Sequence, residues 1–251
     1  MKRNLIFSIV ATGIALLPFA SANAWEVATN VPATAITVVP FVINTSGNYF
    51  LASNLTFHGN VGAAIQVNAS QVYIDLNGRT LSDDQSTNQA VGIFVNDQRD
   101  VTIEEGDIDG FGIGVYFSPN SADNNAKNTA SNLRLNNNLI GVASVSGTSN
   151  LVKDSIIDGG SVGIFFNQDL GSRAQNNILE KQAAAELNTN GIALISSQSR
   201  GVVFDNNVVA KGSSAVGQVM SGTDKFRFET FVGFIKLAPF VGGTDVRALS
   251  E

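Results

Sequence analysis

The chain contains no cysteine, which removes disulfide frameworks, thiolate nucleophiles and cysteine metal sites together. It has one histidine, His58, so chemistry built on clustered imidazoles has no material to use. Charge is sparse: 15 Lys and Arg against 21 Asp and Glu, a net of -6, without basic runs. Nucleic acid and anionic bilayers are held by clustered Lys and Arg, so neither suits this chain as a partner. Beyond the first residues no apolar run is long enough to span a bilayer, and the body shows no helical periodicity.

What is present begins with an address. Lys2 and Arg3 precede an apolar run from Leu5 to Ala20, and Ala22-Asn23-Ala24 has the small-x-small form of a signal-peptidase site. Residues 1–24 are expected to be a cleaved signal peptide, with Trp25 first in a secreted or periplasmic protein that has no membrane span. Cleavage would remove two positive charges and no acid, taking the net charge to -6 - 2 = -8. The remaining 251 - 24 = 227 residues suffice for one domain with a large core, and without disulfides its stability must come from packing.

The body is repetitive. Asn137-Asn138-Leu139-Ile140, Asn176-Asn177-Ile178-Leu179 and Asn206-Asn207-Val208-Val209 repeat one pattern. Strand-like segments open with a small residue and an aliphatic one, whose positions are 65, 93, 113, 142, 164 and 192, spaced 20 to 29 apart. Alternation sends Ile65, Ile93, Ile113, Val142, Ile164 and Ile192 to a core and Gln66, Phe94, Gly114, Ala143, Phe165 and Ala193 outward. A second strand follows (Val72–Leu76, Val101–Glu104, Leu133–Leu135, Val202–Phe204), then a shorter third. Longer spacings are expected as loops at Leu81 to Ala90, Ser118 to Ala130 and Lys181 to Asn190. A repeat of this length without helices predicts a coil of parallel strands stacked on itself. The asparagine pairs fall in the turn between second and third strands, because Asn tolerates a left-handed backbone and its amide can bond the same amide one rung away. Gly78 and Gly106 are expected at equivalent turns.

The Gly-Ile-x-Val strands and Asn-Asn turns, from about Val61 to Val219, resemble those of right-handed parallel β-helix proteins of the pectate lyase-like superfamily. The run Val72-Tyr73-Ile74-Asp75-Leu76-Asn77-Gly78-Arg79-Thr80-Leu81-Ser82 is similar to the opening rung of exported bacterial members. The resemblance implies an all-β, right-handed parallel β-helix of about six or seven three-strand rungs. Residues 25–60 are expected to form amino-terminal strands and a cap, 61–221 the helix, and 222–251 an aromatic cap or a docking tail containing Phe226, Phe228, Phe231, Phe234 and Phe240. Ends need covers because open strand edges and core side chains would otherwise meet water.

The resemblance spans lyases, hydrolases, epimerases and adhesins, so the fold does not name an activity. In the related enzymes the cleft lies along the outer side of the first sheet, where the alignment places no carboxylate. The Asn-Thr-Asp, Gly-His-Gly and Arg-Ile-Lys motifs of polygalacturonases and the Asp-Pro-His-Asp of alginate epimerases are absent. His58 reads as a solvated residue before the repeats, and Asp83-Asp84 as a polar loop. Candidate acids gather on the second face: Asp75 beside Glu104 one rung on, Asp109 aligned with Asp158, and Glu105 aligned with Asn137 and Asp154. The row through Asp75 and Glu104 is expected to continue as Asn136, Lys153, Gln175 and Asp205. Stacked carboxylates are separated by solvent, bridged by a cation or raised in pKa. They therefore read either as a solvated acidic face or as a weak calcium site or acid/base pair. No catalytic residue, resident metal or cofactor is assigned.

Phe94 and Phe165, with Tyr116 nearby, offer outward rings of the kind that stack on sugars. The alternative is that loops bury them. The expectation is a non-catalytic exported scaffold that binds an extended polysaccharide or joins a cell-surface structure. The competing expectation is a lyase or hydrolase of an acidic polysaccharide using Asp75, Glu104, Asp109 and Asp158.

Overall fold

The computed structural model describes residues 32–209, apart from 86–88, 119–125, 181–182, 185–188 and 191, together with the short strands at 216–219, 225–227 and 246–247. The expected signal peptide, the stretch 25–31 and most of the aromatic tail lie outside the described residues.

The chain is an all-β parallel solenoid of about six turns, with no helix among the described residues. The first face is an eight-stranded parallel sheet whose strands are Phe41–Ile43, Gly62–Val67, Ala90–Val95, Ile113–Phe117, Ile140–Val145, Val162–Asn167, Ile192–Ser197 and Val216–Val219. The second and third faces share a 15-stranded sheet. Gly47–Leu51, Val72–Asp75, Leu151–Lys153, Arg173–Gln175 and Val203–Asp205 lie on the second face; Leu55–Phe57, Thr80–Asp83, Ile156–Asp158, Ile178–Glu180 and Val208–Val209 lie on the third. Two long strands, Val101–Asp109 and Thr129–Asn136, run through both faces.

The parallel stack reaches back to Ala33–Ile36 and Phe41–Ile43, within the stretch expected as a cap. At the other end Lys225–Arg227 and Val246–Arg247 continue the second face in parallel register, with Phe226 placed beside Phe204. The rest of the tail's covering role falls outside the described residues.

The register of the first face corrects two rungs. Its aligned inward residues are Ile65, Ile93, Val115, Val142, Ile164 and Leu194, and Leu194 pairs along the backbone with Val216. The differences are 28, 22, 27, 22, 30 and 22, a 22-residue turn alternating with expanded ones. Ile113 and Ile192, expected to point inward, pair with Val91 and Val162 at the sheet's leading edge. The reason is steric. Gly114 takes the small-residue position of Gly92 and Gly141, where a Cβ would stand 2.7 Å from the carbonyl oxygen of Gly141 and 2.8 Å from Leu135. The glycine column lets the first face approach the third closely, and it marks the register better than the aliphatic residue that follows.

The core is a set of stacked columns. Ile74, Ile103, Ala130, Val152, Ala174 and Phe204 form one and Leu81, Ile108, Leu135, Ile157, Leu179 and Val209 another, each residue at 2% exposure or less. Phe166 stacks on Phe204 with ring centroids 5.6 Å apart, a geometry that adds to the gain from burial.

The asparagine pairs do not share one corner. Asn176 and Asn206 turn between the second and third faces, in line with Glu105, Asn132 and Asp154, whereas Asn137 turns between the third and first faces beside Gly110 and Gly159. The expected alignment of Glu105 with Asn137 is thus replaced by Glu105 with Asn132. Gly106 lies one residue past that turn, where a Cβ would meet Leu76 and the carbonyl of Arg79.

Within each pair the two amides have different tasks. Asn137, Asn176 and Asn206 take left-handed backbones, with φ of 52°, 55° and 51°, and Asn206 donates to Asn176 at 2.9 Å on the outside. Asn138, Asn177 and Asn207 point inward at 2%, 0% and 0% exposure. Each accepts a backbone N–H from the preceding turn: Phe111 to Asn138 at 3.0 Å, Ser155 to Asn177 at 3.1 Å and Asn177 to Asn207 at 3.0 Å. Their amides donate to the carbonyls of Ile108, Val152 and Ala174. At a corner the backbone leaves the sheet, and these side chains satisfy groups that would otherwise be buried without partners. A matching ladder of Asn128, Asn150 and Ser172 serves the corner between the first and second faces.

Candidate functional site

The outward row of the first face runs Val42, Gln66, Phe94, Tyr116, Ala143, Phe165 and Ile195. Tyr116 therefore stands in the same row as Phe94, not merely near it, and replaces the expected Gly114; Ile195 likewise replaces Ala193. The rings of Phe94 and Tyr116 stack, with centroids 5.3 Å apart and planes at 22°, so they face each other along the solenoid and make one ridge. Ala143, 2% exposed, forms a low floor, and Phe165 makes the next ridge. Phe94, Tyr116 and Phe165 are each half-buried and keep contact with solvent. Burial pushes the Tyr116 hydroxyl's pKa up, keeping it a neutral hydrogen-bonding group at the edge of an apolar row. Three rung steps of about 4.8 Å put the two ridges' outer rings about 14 Å apart.

A second outward row, Val91, Ile113, Ile140 and Val162, is also half-buried. None of the eight strands of this sheet contains Asp, Glu, Lys, Arg or His. The absence of carboxylates from the row was legible in the sequence; the absence of all charge from the whole sheet needed the strand limits.

The acidic candidates lie on the other faces. Asp75 and Glu104 are direct neighbours. The row continues through Ser131, not the expected Asn136, and then Lys153, Gln175 and Asp205. Glu104 accepts from the Tyr73 hydroxyl and from Ser131 at 3.2 Å. The hydrogen bond to Glu104, with burial and the nearby acids, pushes the Tyr73 hydroxyl well above the usual phenol range. Glu104 is thus anchored by neutral donors, and Asp75 accepts from the Asn77 backbone N–H at 2.5 Å. Asp109 and Asp158 do share a row, on the third face, but Asn136 stands between them and Glu180 follows Asp158. No group of three or more His, Asp or Glu side chains able to hold a metal occurs among the described residues.

His58 has a partner that sequence proximity did not show. Its Nδ1 lies 2.6 Å from Asp84 Oδ2, one rung on, because Phe57 and Asp83 are in register. Hydrogen bonds from Gln85 and then His58 hold the Asp84 carboxyl below its ordinary pKa. Both side chains are exposed, at 72% and 45%, as expected of a solvated surface pair. Asp169, which drew no notice in the sequence, is 1% exposed. It accepts from Ser144 at 2.6 Å and from the Gly147 N–H at 2.7 Å, bonds that fix the turn after Ser144, and burial raises its pKa.

The fold and these rows define the class: a parallel β-solenoid with an uncharged, partly aromatic outer sheet. No family model, curated protein or solved structure matches the chain.

Proposed function

We propose that this protein is an exported right-handed β-helix scaffold, of pectate lyase-like type, that binds an extended glycan along its first face without cleaving it, at a cell surface or in an extracellular structure. The observation that carries the reading is the outward row of Phe94, Tyr116, Ala143 and Phe165, whose two aromatic ridges have their outer rings about 14 Å apart at one rung spacing per step. Rings on a solvent-contacting sheet suit the apolar faces of sugar rings, and a hydroxyl at Tyr116 supplies a polar handle. Length favours a polymer, because a single small sugar would reach only one ridge.

Affinity electrophoresis of the mature protein through gels containing different soluble polysaccharides tests this. At least one polysaccharide should retard the protein, and Phe94→Ala with Tyr116→Ala should abolish the retardation while leaving the thermal unfolding curve cooperative. Failure of every polysaccharide to retard it would refute the reading.

A further inference from the structure

We infer that the polymer recognised by the first face is uncharged, a neutral glucan- or mannan-type chain and not a uronate, sulfated or phosphorylated one. This rests on the glycan-binding reading and narrows it. The eight strands hold no ionisable side chain except Tyr116. A polyanion on this sheet would lose water from its carboxylates or sulfates with no Lys or Arg to replace it, and buried or half-buried charge without a partner is costly.

The borders add to the effect. Along the third face, four residues before the first-face strands that open at Ile113, Ile140 and Val162, runs the row Asp109, Asn136 and Asp158, continued one rung either way by Ser82 and Glu180. Three of its five members are carboxylates, and it contains no cation. On the opposite border the exposed Asp97 and Asp100 stand among Arg99, Lys127 and Arg200, acids and bases interspersed at the corner and not on the sheet itself. Such fields decay over about 10 Å at 0.1 M salt, which reaches about half-way across the six-residue strands of this sheet at about 3.3 Å per residue. A polyanion is repelled at one border and unpaired on the floor. A neutral chain meets neither cost and buries its apolar faces against Phe94, Tyr116, Ile140, Val162 and Phe165.

The test is binding of the mature protein to a soluble mixed-linkage glucan, a galactomannan, polygalacturonate and dextran sulfate, each at about 20 mM and about 500 mM NaCl, where screening differs strongly. The inference predicts that a neutral polymer binds, that its affinity changes less than about twofold between the two salts, and that both polyanions bind at least tenfold more weakly. Tyr116→Ala should lower neutral-polymer affinity by about tenfold, as expected when a stacking ring is lost. Tighter binding of polygalacturonate or dextran sulfate that weakens with salt and still depends on Tyr116 would overturn the neutral-polymer inference and leave glycan binding standing. Binding to none of the four, or binding indifferent to Tyr116, would overturn the glycan reading and this inference with it.

Discussion

Replacing Asn177 and Asn176 separately distinguishes two adjacent residues of identical type. Asn177 is wholly buried; its Oδ1 accepts the Ser155 N–H at 3.1 Å, and its Nδ2 reaches the Val152 carbonyl at 3.0 Å and Asn207 Oδ1 at 2.9 Å. Asn177→Ala would leave the Ser155 N–H and the Val152 carbonyl without these bonds. An unsatisfied buried group costs about 1–3 kcal/mol, so the two together cost about 2–6 kcal/mol. Asn176 is a different case: its φ of 55° is what the turn uses, and its amide bonds to Asp154 at 3.1 Å on the outside. Asn176→Gly keeps the backbone free to adopt the turn, and the two lost bonds, to Asp154 and from Asn206, are both exposed and together worth about 1 kcal/mol. Urea unfolding midpoints of the three proteins at pH 7 measure the difference, and hydrogen exchange reports the Ser155 amide directly. The ladder requires that Asn177→Ala be several-fold more destabilising than Asn176→Gly and that it selectively strip protection from Ser155. Equal losses, or an unchanged Ser155 amide, would refute the division of labour within the pair.

Gly141→Ala would place a Cβ 2.7 Å from both the Gly163 carbonyl oxygen and Ile157 Cγ2; a loss of about 1–3 kcal/mol is expected from overpacking, read as a lower melting temperature, and an unchanged one would contradict the close approach of first and third faces. Asp169 has a folded pKa raised by burial. Its protonated form therefore favours folding below the unfolded value of about 3.9, and that advantage is lost as pH rises through the folded pKa. The stability of the native protein relative to Asp169→Asn should accordingly decline from pH 4 upward, and parallel urea midpoints for the two proteins from pH 4 to 7 would contradict the assignment. In an ultraviolet titration Tyr73, whose ionisation is opposed by Glu104, should be the last tyrosine to ionise before unfolding; Glu104→Gln should bring that step down, and no change would show that the Tyr73–Glu104 bond is not kept in solution.

The sequence made the solenoid legible because small-aliphatic strand openings and Asn-Asn turns are local signals that survive variable loop lengths. It misaligned two rungs for an equally local reason. In Gly112-Ile113-Gly114-Val115 either glycine can open the strand by pattern alone, and only the steric demand at the Gly141 carbonyl selects Gly114. That two-residue slip moved Tyr116 out of the aromatic row and hid its stack with Phe94. The third-face acids were harder still. Val101–Asp109 and Thr129–Asn136 pass from one face to the next as single strands, with the turn marked only by the left-handed Glu105 and Asn132 and not by an Asn-Asn pair. His58 with Asp84, and Asp169 with Ser144 and Gly147, join residues 22 to 26 apart, a separation that means contact only once the rung length is known.

Binding of a polymer along the first face requires Phe94, Tyr116, Ala143 and Phe165 to act as one extended row. Its most direct measurement is calorimetric affinity for neutral oligosaccharides of increasing length, from the polymer that retards the protein, using native protein and Phe165→Ala. Affinity should climb with length until the chain spans the roughly 14 Å between Phe94 and Phe165 and then level off, and Phe165→Ala should shorten the length at which it levels. An affinity already maximal for a disaccharide, or a length profile untouched by Phe165→Ala, would contradict the extended row.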